Sequence, residues 1–142
     1  NQGRSPVVAT MNDLELHQLI NRVPYAQTLG IQVGGENDCF LLPTKKSNIG
    51  NPTLPALHGG AIAGFMELSA MMYVLRHSNS EKFPKVVDFA VDYVRAGKYV
   101  ATHSRCKLVY LGRRMINVSI SAWQEDEAAP IAMARAQFLV KE

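Results

Sequence analysis

The longest run of apolar and small residues lies near the middle of the chain, from Ala61 to Leu75, and only Glu67 and Ser69 interrupt it. A helix that is apolar on all sides is buried, and this run is shorter than the roughly 20 apolar residues that span a bilayer. The pattern therefore predicts one long buried helix, from about Gly59 to His77, inside a globular fold.

The flanking segments show the shorter periods of a strand-rich fold. Before the central helix, Asn12 or Asp13 can cap a short helix that ends near Asn21, with Leu14, Leu16, Leu19 and Ile20 as its apolar positions. Apolar stretches bounded by turn residues predict an antiparallel hairpin and then a meander of four strands, which makes the fold α+β. The predicted strands are Ile31–Gly34, Cys39–Pro43, Val86–Val94, Tyr99–Leu111, Arg114–Gln124 and Pro130–Val140. In the first meander strand, Val87, Phe89, Val91 and Tyr93 share one face.

Glu67 is the residue of the central helix that most needs an explanation. Burying a lone carboxylate costs several kcal/mol, so Glu67 either pairs with an arginine in a structural bridge or serves as a base or nucleophile in a water-poor cleft. Gly60, Gly64 and Glu67 fall on one stripe of the helix. This stripe has room for a ligand or for close packing against another backbone.

His58 stands just before the helix, nine residues before Glu67. That spacing corresponds to about 180° of rotation and roughly 14 Å of rise. The two side chains therefore do not meet at one small reacting group within a single chain. If both are catalytic, they come from two subunits that share an interface.

Composition narrows the functional classes. The 142 residues are 47% apolar and 19% charged, with a net charge of +3, which suits one domain that loses some surface to a partner subunit. We expect residues 1–10 to form a tail and residues 11–142 to form the domain. The basic excess contains no block of five like charges, so it favours a small anionic ligand over nucleic acid.

Cysteine usage and the N-terminus indicate a cytoplasmic protein. Cys39 and Cys106 have no metal-ligand spacing, and we interpret them as thiols, with a disulfide as the alternative. No long apolar core of the signal-peptide kind is visible at the N-terminus. His17, His77 and His103 have no partners nearby in the sequence and are predicted to be surface residues.

Three segments resemble one known family. The triplet His58-Gly59-Gly60 followed by Glu67 resembles the signature of hotdog-fold thioesterases of the phenylacetic-acid-degradation (PaaI-like) group. The stretch from Val87 to Gly97 resembles the strand after the helix in that family, and Gly112–Arg114 resembles its following turn. The resemblance runs from about residue 29 to residue 140.

The resemblance implies an antiparallel sheet wrapped around one long buried helix. It implies a homodimer whose sheets join edge to edge, often doubled to a tetramer, with active sites at the dimer interface. The implied reaction is hydrolysis of an acyl-coenzyme A thioester without metal or cofactor. Neither nucleic acid nor a membrane is an expected partner. We expect a medium-chain or aryl acyl group.

The family's roles transfer to particular residues of this chain. Glu67 would be the general base or nucleophile, and the backbone N–H of Gly59 or Gly60 would stabilise the oxyanion. His58 would shape the site or bond to the carbonyl group. Asn51 is the best match to the asparagine of the family, and Asn48 is the second match.

Four cations are candidates for binding the phosphates of coenzyme A, and each could equally be a solvated turn residue. They are Arg95, Lys98, Arg113 and Arg114. Two other functions fit the same fold. One is a hydratase or dehydratase, although the motifs around the histidine of those enzymes are absent. The other is a non-catalytic acyl-CoA-binding dimer, since fold does not fix function.

Overall fold

The computed structural model describes residues 12–20, 22–23, 29–34, 38–44, 59–78, 83–98 and 100–139. Among these residues there are two helices and six strands. The elements are α1 (Asp13–Ile20), β1 (Gln32–Val33), β2 (Cys39–Leu42), α2 (Gly59–Ser78), β3 (Lys85–Tyr93), β4 (Thr102–Leu111), β5 (Met115–Trp123) and β6 (Ala132–Leu139). Neither described helix is long and apolar enough to cross a membrane.

The short helix α1 begins at the predicted cap. The side chain of Asn12 accepts a hydrogen bond from the Glu15 N–H at 2.8 Å, and the Glu15 carboxylate accepts one from the Asn12 N–H at 3.1 Å. This reciprocal pair is a capping box. Leu16 and Leu19 are buried as predicted, but Leu14 is 67% exposed, because it falls on the opposite side of a helix that contacts the core along one face.

All strand pairs are antiparallel, and the sheet order is β1-β2-β4-β5-β6-β3. The predicted four-strand meander is therefore wrong in one respect, because β3 pairs with β6 at the sheet edge and only β4, β5 and β6 form a meander. The link after β3 fixes this arrangement. The N–H groups of Val94 and Arg95 both donate to the Ile131 carbonyl, at 2.8 and 3.2 Å, immediately before β6.

The strand register decides which side chains face α2. Val86 and Phe89 stand opposite the buried residues Phe138 and Ala136, and a bulge between Val86 and Asp88 separates them. Val87 therefore lies in the bulge and is exposed, whereas the sequence pattern predicts that it shares a face with Phe89, Val91 and Tyr93. Beyond the bulge, Phe89, Val91 and Tyr93 share one face as predicted.

The core lies between α2 and the strands β4, β5 and β6. Its largest fully buried side chains include Phe65, Met66, Phe138 and Ile120. Ser69 is buried, and its hydroxyl makes two hydrogen bonds. It donates to the Phe65 carbonyl at 2.7 Å and accepts from Ser104 Oγ at 2.8 Å. This pair explains one of the two polar residues in the apolar run.

Both cysteines are buried thiols with no disulfide between them, as the sequence predicts. Burial raises the pKa of the Cys106 thiol, and the nearby Asp38 carboxylate adds to the effect. Cys106 is therefore protonated at neutral pH and packs as a small apolar side chain.

Candidate active site

One face of α2 is less covered than the rest of the helix. Gly60 is exposed, and Ala63, Gly64, Glu67 and Met71 are partly buried. These positions recur every three or four residues, so they form a continuous stripe. The structure thus places Gly60, Gly64 and Glu67 on one helix face, and this face is accessible from Gly60 to Met71.

The Glu67 carboxylate is partly buried in this stripe. The other polar side chain of the apolar run, Ser69, is bonded within the core, whereas Glu67 has no hydrogen bond or ion pair with any residue that the structure describes. Two arginines form ion pairs with other acids: Arg76 pairs with Asp13, and Arg105 pairs with Glu127. No described residue therefore forms a structural salt bridge with Glu67.

The N-terminus of α2 is tied to the end of β3. The hydroxyl of Tyr93 donates a hydrogen bond of 2.7 Å to the carbonyl oxygen of Gly59, the first residue of the helix. A cavity of about 390 Å³ opens beside this contact and is lined by Gly59, Ile62, Tyr93, Val94, Arg95, Ala96 and Gly97. The sequence predicts that Tyr93 shares a strand face with Phe89 and Val91 but gives no sign of this bond.

The link after β3 brings two of the predicted cations to the same end of α2. The Gln124 side chain fixes this link by two hydrogen bonds to the backbone of Lys98. It accepts a hydrogen bond from the Lys98 N–H at 3.0 Å and donates one to the Lys98 carbonyl at 2.9 Å. Arg95 is fixed by its backbone bond to Ile131. Both cationic side chains are exposed. Lys98 Nζ lies 3.9 Å from Glu125 Oε2, but the Lys98 side chain remains 74% exposed. A ligand in solution can therefore reach both cations.

The other two cations lie at the opposite end of the sheet. Arg113 and Arg114 connect β4 to β5, and the neighbouring Met115 pairs with Leu139, which also pairs with the first residue of β3. Tyr93 is the last residue of β3. One chain therefore does not gather all four predicted cations around one phosphate group.

Three predicted site residues, His58, Asn51 and Asn48, lie outside the described residues, so their roles stay predictions. No three His, Cys, Asp or Glu side chains of the described segments are grouped so that they could hold a metal ion.

The predicted surface position is confirmed for His77, which is exposed, whereas His103 is partly buried. Both rings have partners in the folded chain. The Nε2 atom of His77 lies 2.6 Å from Oδ1 of Asp38, and its ring contacts that of Tyr73 at a centroid distance of 4.6 Å. His103 stacks on Trp123 at 5.6 Å. Asp38 lies 39 residues from His77 in the sequence, and Trp123 lies 20 residues from His103. Tyr73 is next to His77 only because the two residues are one helical turn apart. Local sequence therefore does not reveal these partners.

Comparison with known proteins decides the family. The sequence profile described as the thioesterase superfamily matches residues 54–131 of this chain, which contain α2, β3, β4 and β5. The chain belongs to the thioesterase superfamily. Membership supports thioester hydrolysis as the general class of reaction. A comparison with curated proteins found no match.

Solved structures agree with the hotdog fold of this thioesterase-superfamily member. A protein of Chromobacterium violaceum is 33% identical over 91% of this chain and 98% of its own, with a TM-score of 0.70. A thioesterase of Haemophilus influenzae is 20% identical, covers 92% of this chain and 90% of its own, and has a TM-score of 0.78. A mutant thioesterase of Staphylococcus aureus is 15% identical, covers 84% and 100%, and has a TM-score of 0.73. The predicted fold, an antiparallel sheet packed on one long helix, is thereby confirmed.

Proposed function

We propose that this superfamily member is a PaaI-like acyl-CoA thioesterase that works as a homodimer. Glu67 acts as general base or nucleophile, and the backbone N–H of Gly59 or Gly60 in the second subunit stabilises the oxyanion. The observation that carries the proposal is the position of Glu67. It is a partly buried carboxylate on the open stripe of an apolar helix, without a partner among the described residues.

The accessible stripe of α2 provides a carboxylate and open space, both of which thioester hydrolysis requires. A thiolate is a good leaving group, so hydrolysis depends on an activated water or an attacking carboxylate and on stabilisation of the tetrahedral oxyanion. Burial of this stripe against the second subunit would exclude solvent from Glu67, which would strengthen each electrostatic contact inside the site. The small residues Gly60 and Gly64 leave space above the carboxylate for the thioester.

The N-terminus of α2 is the proposed oxyanion site. N–H groups in the first turn of a helix have no acceptor within the helix, and the helix dipole favours negative charge there. Tyr93 bonds the carbonyl of the Gly59–Gly60 peptide, and this bond polarises the N–H of the same peptide group. His58 would shape the site or bond to the carbonyl group, and Asn51, or Asn48 in its place, would be the asparagine of the site.

Two subunits are needed because Gly59 and Glu67 are eight residues apart in one continuous helix. That spacing corresponds to roughly 12 Å along the axis, which is too far for both to reach one carbonyl group. β3 supplies a surface for the second copy. It is a nine-residue strand at the sheet edge with one strand neighbour, and such an edge is a template for pairing.

Pairing of β3 with its symmetry copy would be antiparallel and would extend the sheet across the dimer. The two α2 helices would then run in opposite directions. Glu67 of one subunit would approach the helix N-terminus of the other, which completes two equivalent sites. Association of two dimers into a tetramer is compatible with this arrangement.

The coenzyme would lie across both subunits. Arg95 and Lys98 are at the N-terminal end of α2 and are proposed to bind its phosphates. Arg113 and Arg114 lie at the other end of the sheet, away from this end of α2, so we assign the phosphates to Arg95 and Lys98 alone. The open stripe beyond Gly64 would take the acyl group, and its small residues and Met71 suit a medium-chain or aryl group.

The assay that tests the function measures thiol release from a panel of short-chain, octanoyl, palmitoyl and benzoyl-CoA. We expect turnover, with the highest kcat/KM for the octanoyl or benzoyl thioester. Saturable binding without thiol release from any of the four would instead identify a non-catalytic acyl-CoA-binding dimer. Addition of water to an enoyl-CoA, without thiol release, would identify a hydratase.

Tyr93→Phe tests the positioning of the helix N-terminus. The variant loses one hydrogen bond to Gly59, worth roughly 1 kcal/mol, so we expect kcat to fall about fivefold with little change in KM. Tyr110→Phe is the matched control, because Tyr110 is an exposed tyrosine on β4 and its loss of a hydroxyl should leave kcat unchanged. Equal kcat values for the two variants would remove Tyr93 from the site.

A further inference from the structure

A cavity lies between the C-terminal end of α2 and the end of the hairpin formed by β4 and β5. Its volume is about 300 Å³, or about twice that of an engineered apolar cavity of roughly 150 Å³ that binds benzene. Its apolar wall is formed by Val74, Leu108, Leu111 and Ile116. Val74 follows Glu67 by seven residues, so the cavity begins roughly 10 Å along the helix from the proposed catalytic carboxylate.

Gly112 and four polar residues complete the lining, and the polar ones are Tyr73, His77, Ser78 and Arg113. Asp38 holds the His77 ring at 2.6 Å, and the Tyr73 ring packs on it. Burial raises the pKa of Tyr73 to about 12, with the Asp38 carboxylate as the second cause. The Tyr73 hydroxyl therefore stays protonated at neutral pH and can donate a hydrogen bond.

Arg113 carries a positive charge at this cavity that no described acid neutralises. His77 has the Asp38 carboxylate 2.6 Å from its ring, whereas Arg113 has no ion pair with any acid in the part of the chain that the structure describes. His77 also lies in the last turn of α2, where a basic side chain offsets the negative end of the helix dipole. An anion that approaches the cavity thus finds an available guanidinium.

We propose that this cavity is a second ligand site, specific for a monocarboxylate with an apolar tail of medium length. Arg113 binds the carboxylate, and the tail lies against Val74, Leu108 and Ile116. This site is separate from the acyl-CoA site and does not depend on the proposed catalytic function.

The chemistry of the lining selects this class of ligand. One guanidinium matches one carboxylate in a forked pair of hydrogen bonds, and the described lining contains no lysine or second arginine that would suit a polyphosphate. Leu108 and Leu111 are 43% and 64% exposed, although both face the cavity. An apolar tail would cover these surfaces, and burial of apolar area is favourable in proportion to the area covered.

Calorimetric titration of the intact protein with sodium octanoate tests the proposal. We expect saturable binding of one octanoate per chain. Arg113→Gln should weaken it about tenfold or more, because a charge-assisted hydrogen bond is lost. Arg114→Gln is the matched control, since Arg114 is the neighbouring arginine and does not line the cavity, and it should bind as the wild type does. Equal weakening in both variants, or no saturable binding to the wild type, would overturn the proposal.

Two further measurements separate the cavity from the proposed active site. Leu111→Trp places a larger side chain at an exposed position of the wall and should abolish octanoate binding without unfolding the protein, which circular dichroism can verify. Glu67→Gln should leave octanoate binding unchanged. Unchanged binding in Leu111→Trp, lost binding in Glu67→Gln or displacement of octanoate by free coenzyme A would each overturn the proposal. Octan-1-ol that binds as tightly as octanoate would overturn the role of the carboxylate.

Discussion

Replacement of Glu67 by glutamine should lower kcat/KM for acyl-CoA hydrolysis by about 1,000-fold while the dimer persists. The substitution keeps the size of the side chain and its capacity for hydrogen bonding, but it removes the negative charge that activates water or attacks the thioester. General base catalysis alone contributes roughly 10²–10⁴-fold. Thiol release under saturating and limiting substrate, together with the elution volume in gel filtration, measures both quantities.

Glu127→Gln is the control for this experiment. Glu127 is also a carboxylate, but it pairs with Arg105 outside α2 and is partly exposed, and such surface pairs contribute little to stability. We expect wild-type kcat/KM in this variant. Full activity in Glu67→Gln would contradict the mechanism, whatever the fold, and equal loss in the two variants would indicate a general effect of lost charge.

Mixing two inactive variants should restore activity if the site is shared between subunits. Gly59→Pro removes the N–H of the first helical residue at a position where proline is well tolerated, and loss of an oxyanion donor lowers kcat by roughly 10²–10³-fold. A mixed dimer of Glu67→Gln and Gly59→Pro would then contain one doubly altered site and one intact site. With equal amounts and random reassociation, about a quarter of the wild-type activity should return.

The control for mixing is each variant exchanged with itself under the same conditions, which should stay inactive. Gly59→Ala keeps the N–H, and its Cβ would meet Tyr93 only at ordinary contact distances from 3.6 Å, so it should retain activity where Gly59→Pro does not. If Gly59→Pro is active, Gly60→Pro takes its place, because either N–H is a candidate donor. No recovery from an inactive pair that forms mixed dimers would show that each chain carries its own complete site.

Patterns over short distances in the sequence account for the elements of the fold. The apolar run predicts α2 to within one residue, since the observed helix is Gly59–Ser78. Apolar stretches bounded by turn residues predict all six strands to within three residues of their observed bounds. These features succeed because a helix or a strand forms from residues that are neighbours in sequence. The order of the strands is different, because β3 and β6 are separated by two other strands in the chain. No local pattern states which strands become neighbours.

The amino-acid sequence by itself determined the fold class, the long buried helix and the one acidic residue within it that lacks an obvious structural role. Only the tertiary structure decided that Tyr93 secures the first residue of that helix, that the four candidate cations divide between two ends of the sheet, and that His77 and Arg113 meet at a separate cavity. The physical reason is that burial and periodicity are properties of segments, whereas hydrogen bonds and cavities arise between segments whose relative placement depends on strand order and on the path of the connecting links.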